Sequence, residues 1–134
     1  MTMAKTTVLL VNLGTPDNPS VGKVRSYLSQ FLNDPRVIDI PWLIRKILVN
    51  LIIVPFRAPK SAAIYKELWT DEGSPIITHG NAVKRLLQEK LGSDYTVELA
   101  MRYKNPSIPS VLDRIHKSNP NKIIVIPLFP HYAS

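Results

Sequence analysis

The sequence has 134 residues, with 17 Lys and Arg against 10 Asp and Glu, for a formal charge of +7 and no cysteine. That length suits one domain with a single core. The missing cysteines exclude disulfides, thiolate-bound clusters and thiol chemistry in this segment, and the positive balance favours an anionic partner: nucleic acid, a lipid surface or an acidic small molecule.

Taken in order, Thr6 to Val11 leads into an unbroken apolar run, Val8-Leu9-Leu10-Val11, followed by Asn12-Leu13-Gly14-Thr15-Pro16. The run reads as a strand buried on both faces, as in a parallel sheet. The residues after it form a loop at the carboxyl end of that strand, where open α/β sheets bind ligands. Asn18-Pro19-Ser20 starts a helix carrying Val21, Val24, Leu28, Phe31 and Leu32 at helical spacing, stopped by Asn33-Asp34-Pro35. Pro41 opens a second helix, Trp42 to Val54, apolar on almost every side except at Arg45, Lys46 and Asn50, and Pro55 is expected to end it. About 13 residues fall short of the roughly 20 needed to span a bilayer. The stretch is either a helix buried between domains or subunits, or an apolar lip that meets a membrane or a large greasy ligand.

A third helix is predicted from Pro59 to about Trp69 and a turn over 70–75. A fourth helix carries Ile76, Ile77, Val83, Leu86, Leu87 and Leu91, capped by Gly92. Alternation of Val97, Leu99 and Met101 with Glu98, Ala100 and Arg102 makes Tyr95 to Tyr103 a strand. Ser107 to Ser118 is a fifth helix and Lys122 to Phe129 a third strand. The order predicts a three-layer α/β fold, a parallel sheet flanked by helices with right-handed crossovers. Three strands alone would leave two open edges with little cover.

All three strands then aim at one rim, which collects Asn12 to Thr15, Arg102 and Tyr103, and Phe129, His131 and Tyr132. Leu13-Gly14-Thr15-Pro16 lacks the glycines of a dinucleotide fingerprint and the Gly-Lys-Ser/Thr of a phosphate loop. Arg102 is either a carboxylate clamp or a solvated strand-end charge. Arg57, beside Phe56, suits a ligand carboxylate or lipid phosphate, or else caps a helix. His79, His116 and His131 form no metal-binding pair at helical spacing; His131, at the rim, is either structural or a contact to ligand or metal. The basic residues are scattered without interleaved aromatics, so no nucleic-acid partner is expected. Without a secretory signal at the start, the expectation is a cytoplasmic protein that touches a membrane, if at all, from outside.

Five motifs in order add up to more. They are Val11-Asn12-Leu13-Gly14-Thr15-Pro16, then Arg57-Ala58-Pro59-Lys60 with Tyr65, then Gly73-Ser74-Pro75-Ile76, Ala100-Met101-Arg102-Tyr103, and Pro127-Leu128-Phe129-Pro130-His131-Tyr132-Ala133-Ser134. Together they resemble the ferrochelatases, over essentially the whole chain but only the N-terminal half of that family's usual length. The resemblance implies a Rossmann-like half without nucleotide: residues 1–134 as an N-terminal chelatase-like domain, the second such domain lying outside this chain. It implies insertion of ferrous iron, as substrate and with no resident cofactor, into a porphyrin bound between two halves. Arg57, Tyr65 and Ser74 would hold propionates, Leu13 would lie against the macrocycle, and Arg102 with Phe129 near it would serve metal approach or substrate positioning. The apolar 42–54 helix would touch porphyrin or membrane. The family's proton-accepting His and its acidic companion belong to the other half, and His131 is not that histidine. The 134 residues alone are therefore expected to be inactive. A cobalt or other tetrapyrrole chelatase, and a non-catalytic porphyrin-binding module, are the alternatives.

Overall fold

The structure, a computed structural model, describes residues 5–130. In chain order the elements are β1 (Thr6–Gly14), α1 (Val21–Leu32), α2 (Trp42–Ile47), a π-helical segment (Leu48–Ile53), α3 (Val54–Leu68), α4 (Pro75–Leu91), β2 (Tyr95–Tyr103), α5 (Ile108–Ser118) and β3 (Lys122–Pro127). The chain divides into two compact units, Thr15–Pro75 and the two segments on either side of it.

The flanking segments build the sheet. Its order is β2-β1-β3 and both pairings are parallel. This is the α/β arrangement expected, and β1 is central, which is why Val8 to Val11 are apolar without alternation. On one face Val8, Leu10, Val97, Leu99 and Met101 form a buried cluster closed by Ile77, Leu87 and Leu91 of α4. On the other, Leu9, Val11 and Ala100 pack with Val111 and Ile115 of α5. Gly80 lets α4 approach closely: a Cβ there would stand 2.9 Å from Leu99 Cδ2.

The two edges differ. On β2, Glu98 takes Arg114 of α5 at 2.6 Å and Lys84 of α4 at 3.8 Å, so charge guards that edge. On β3, Ile123, Ile124, Val125 and Ile126 all remain exposed. Two strand ends depart from expectation. β1 continues through Asn12 and Leu13 to Gly14, because the ladder to β2 extends to Gly14 opposite Tyr103. β3 stops at Pro127 rather than Phe129. Proline has no N–H for the ladder; beyond it the Leu128 N–H still reaches the Val11 carbonyl at 2.7 Å.

In the Thr15–Pro75 unit, Ser20 caps α1, its Oγ accepting from the Lys23 N–H at 3.3 Å. Pro55 does not end a helix, and no new one starts at Pro59. Helical structure runs unbroken through 27 residues, Trp42–Leu68. Pro55 falls in the first turn of α3, directly after the wider π turn. Pro59 sits inside α3 at the loss of one backbone bond.

At 27 residues the helix is long and apolar enough to cross a membrane, contrary to the expectation of about 13 residues. Arg45, Val49, Val54, Ala58 and Ala62 are all buried. They fall in steps of four, five, four and four, the five spanning the π segment, where the Val54 N–H bonds back to the Val49 carbonyl. The extra residue keeps one stripe facing inward. α1 packs along α3, and Asn50 Oδ1 accepts from Ser29 Oγ at 2.9 Å and Asn33 Nδ2 at 3.0 Å. The helix thus commits one stripe to the rest of its unit and leaves its other sides exposed.

Candidate functional site

At the carboxyl rim of the sheet, register decides which side chains meet. Val11 stands opposite Ala100 and Gly14 opposite Tyr103, so Leu13 and Arg102 are neighbours on the face that α5 covers further down. Leu13 is exposed, and its N–H is held by Asn12 Oδ1 at 2.8 Å. The Arg102 guanidinium lies 4.9 Å from the centre of the Tyr103 ring, an orientation that cation–π attraction favours. Phe129 is half-buried and packs on the same face, against the cluster that includes Val11, Ala100 and Ile115. The sheet therefore brings Leu13, Arg102 and Phe129 to one face, with Phe129 turned toward the core. Gly14 makes the close pairing possible. Its φ is +118°, and a Cβ would collide with the Tyr103 carbonyl oxygen.

The second cluster belongs to the Thr15–Pro75 unit. Arg57 and Tyr65 both lie on α3, about 12 Å apart along its axis at 1.5 Å per residue. The charge of Arg57 nonetheless acts on Tyr65. Burial pushes the Tyr65 phenol above its ordinary value, while a hydrogen bond from Tyr27 and the Arg57 charge work against that rise. Ser74, also expected at the ligand, is buried, with its Oγ 2.8 Å from Thr15 Oγ1. Two hydroxyls joined by one bond leave one O–H to donate elsewhere.

Sequence reasoning missed Tyr27. It falls one turn from Val24 and Phe31 on the inward face of α1, so helical spacing would have found its burial, although not its partner. The turn over 70–73 is as expected, closed by reciprocal bonds between Thr70 and Gly73 at 3.0 and 2.9 Å. His131 lies outside the described residues. Among the described residues no three His, Cys, Asp or Glu side chains converge as metal ligands would.

The last group of observations is the apolar helical surface. Trp42, Leu51 and Phe56 are 63, 69 and 78% exposed, and Leu43, Ile44, Ile47 and Ile52 are also exposed. Single exposed apolar residues need no explanation, but a contiguous patch marks a contact surface.

Comparison with known proteins agrees with these features. A ferrochelatase family model matches residues 5–134. The chain is 49% identical to a ferrochelatase of Coxiella burnetii (strain RSA 493 / Nine Mile phase I) over 95% of its own length and 36% of that protein's. It is 46% identical to one of Actinobacillus pleuropneumoniae serotype 5b (strain L20), over 100% of this chain and 43% of the relative. A ferrochelatase of Alcanivorax borkumensis is 46% identical, with 96 and 39% covered. The chain thus spans about two-fifths of the length of the curated relatives it matches. With a match across all but its first four residues, and with the motif-bearing positions set at a sheet rim and along one long helix, the chain belongs to the ferrochelatase family.

Proposed function

We propose that this chain supplies one wall of a porphyrin site in an enzyme that inserts ferrous iron into a porphyrin, protoporphyrin IX by resemblance, to form haem. The reaction exchanges two pyrrole protons for one ferrous ion, so iron is a substrate and two protons must leave. The observation that carries the reading is Arg57 together with half-buried Tyr65 on α3, in a chain of this family. A guanidinium and a phenolic O–H are the donors that a propionate carboxylate needs.

Leu13, exposed beside Arg102 on the sheet rim, offers apolar contact to the macrocycle, and Arg102 a positioning charge. Among the described residues none is assigned the proton-accepting role. The exposed surface from Trp42 to Phe56, on a chain of charge +7, supports peripheral contact with an anionic lipid surface from which an apolar porphyrin is taken up.

The test is a fluorescence titration with protoporphyrin IX on the complete natural polypeptide that carries these residues. Arg57→Ala is expected to weaken binding about 10-fold, the lower end for a charge-assisted hydrogen bond, because Arg57 is exposed. Equal affinity in the variant would remove the propionate role.

A further inference from the structure

We propose that Thr15 is a positioning residue for Ser74: its hydroxyl fixes the Ser74 hydroxyl, so that the pair gives one O–H to a carboxylate oxygen of the ligand. The proposal rests on the porphyrin-carboxylate reading above, with Ser74 at a propionate as the family resemblance implies, and it gives a role to a residue that the resemblance leaves without one.

Thr15 and Ser74 are the first residue and the last but one of the Thr15–Pro75 unit, which also carries Arg57 and Tyr65. They are 4 and 5% exposed, and their hydroxyl oxygens stand 2.8 Å apart. The backbone ahead of Ser74 is set by its turn, in which Thr70 and Gly73 exchange backbone bonds and Thr70 Oγ1 donates to the Gly73 carbonyl at 2.9 Å. What is left to the Ser74 side chain is rotation about χ1, with its three staggered wells. Thr15 removes that freedom. It is β-branched, so its own χ1 is stiff, and burial holds it in place. Its Oγ1 is a fixed point to which the Ser74 hydroxyl is tied.

The proton count makes the pair a donor. The two hydroxyls own two protons and share one bond, and neither side chain makes another hydrogen bond among the described residues. Whichever oxygen donates within the pair, one O–H is left without an acceptor. A buried proton of that kind is costly until an acceptor reaches it. A carboxylate only accepts, and its charge makes the bond it receives roughly twice as strong as a neutral one. A group that must itself donate leaves the spare proton where it was.

The experiment titrates the complete natural polypeptide with protoporphyrin IX and with its dimethyl ester, followed by fluorescence, in the parent and in Thr15→Val, Thr15→Ser and Arg57→Ala forms. Valine keeps the shape of threonine and removes the hydroxyl. Thr15→Val is expected to weaken diacid binding about 3-fold, because one three-well torsion must then be confined on binding. Ester binding should fall less, since a neutral carbonyl draws less from the same donor. Thr15→Ser, which keeps the hydroxyl, should bind the diacid more tightly than Thr15→Val. Equal losses for diacid and ester would make the pair a clasp between the ends of its unit and overturn the proposal, as would no loss on Thr15→Val or a Thr15→Ser form that is equally weak. If Thr15→Val does not fold, Thr15→Ala takes its place under the same criteria. A parent protein that does not bind the diacid overturns the proposed function and this inference together. One that binds it and weakens on Arg57→Ala but not on Thr15→Val overturns this inference alone.

Discussion

Gly14→Ala is expected to destabilise the fold by about 2–5 kcal/mol, read as a drop in the midpoint of urea unfolding. Two effects add. The φ of +118° is strained for any L side chain, at about 1–2 kcal/mol. The new methyl would also strike the Tyr103 carbonyl oxygen, and backbone in a parallel ladder does not yield as a flexible side chain does. Overpacking of that kind costs about 1–3 kcal/mol. Gly73 separates the two terms. Its φ is +110°, but a Cβ there meets nothing within 4 Å. Gly73→Ala should therefore show the conformational cost alone. If the two variants lose the same stability, the contact with Tyr103 is relieved by a small shift, and the rim is softer than its register suggests.

The second large effect concerns the apolar surface. Leu51→Glu combined with Phe56→Glu is expected to lower partition onto anionic lipid vesicles more than 100-fold, measured by co-sedimentation. Burying one large apolar side chain is worth about 1.5–3 kcal/mol, so two contribute about 3–6 kcal/mol. Both residues are well exposed, so the melting temperature should hardly move. The charge of +7 adds a salt-sensitive attraction that the substitutions reduce by only two charges. Raising the salt concentration screens that part and leaves the apolar part in place. Unchanged partition in the double variant would mean that charge alone brings the protein to lipid, and that Trp42–Phe56 serves another contact.

The sheet and α5 were legible because their signals are periodic and local. Alternation marks β2, the unbroken apolar run marks central β1, and Ser107 caps a helix whose apolar residues align. Leu13 and Arg102 were both readable as strand-end residues, but their adjacency depends on a register that no local pattern contains. The helical stretch from Trp42 to Leu68 was misread at its two prolines, which usually punctuate helices. Pro55 is harmless in the first turn of α3, and packing of Val54, Ala58 and Ala62 outweighs the bond lost at Pro59. Ser74 shows the other limit. It was readable as a turn residue, but its burial against Thr15 arises from a contact between distant parts of the chain, which no local pattern contains. The same holds for Tyr27 and Tyr65, which come from different helices.

The five-residue step between Val49 and Val54 works as a spacer. It absorbs one surplus residue within a single turn, so everything downstream of it keeps its azimuth. Arg57 and Tyr65 are consequently indifferent to whether that residue is present. Deleting one residue between Arg45 and Val54 should close the turn into ordinary α-helix and present the same two side chains on the same side. Length variation confined to this turn is therefore free to reshape the apolar surface ahead of it without retuning the polar groups beyond it.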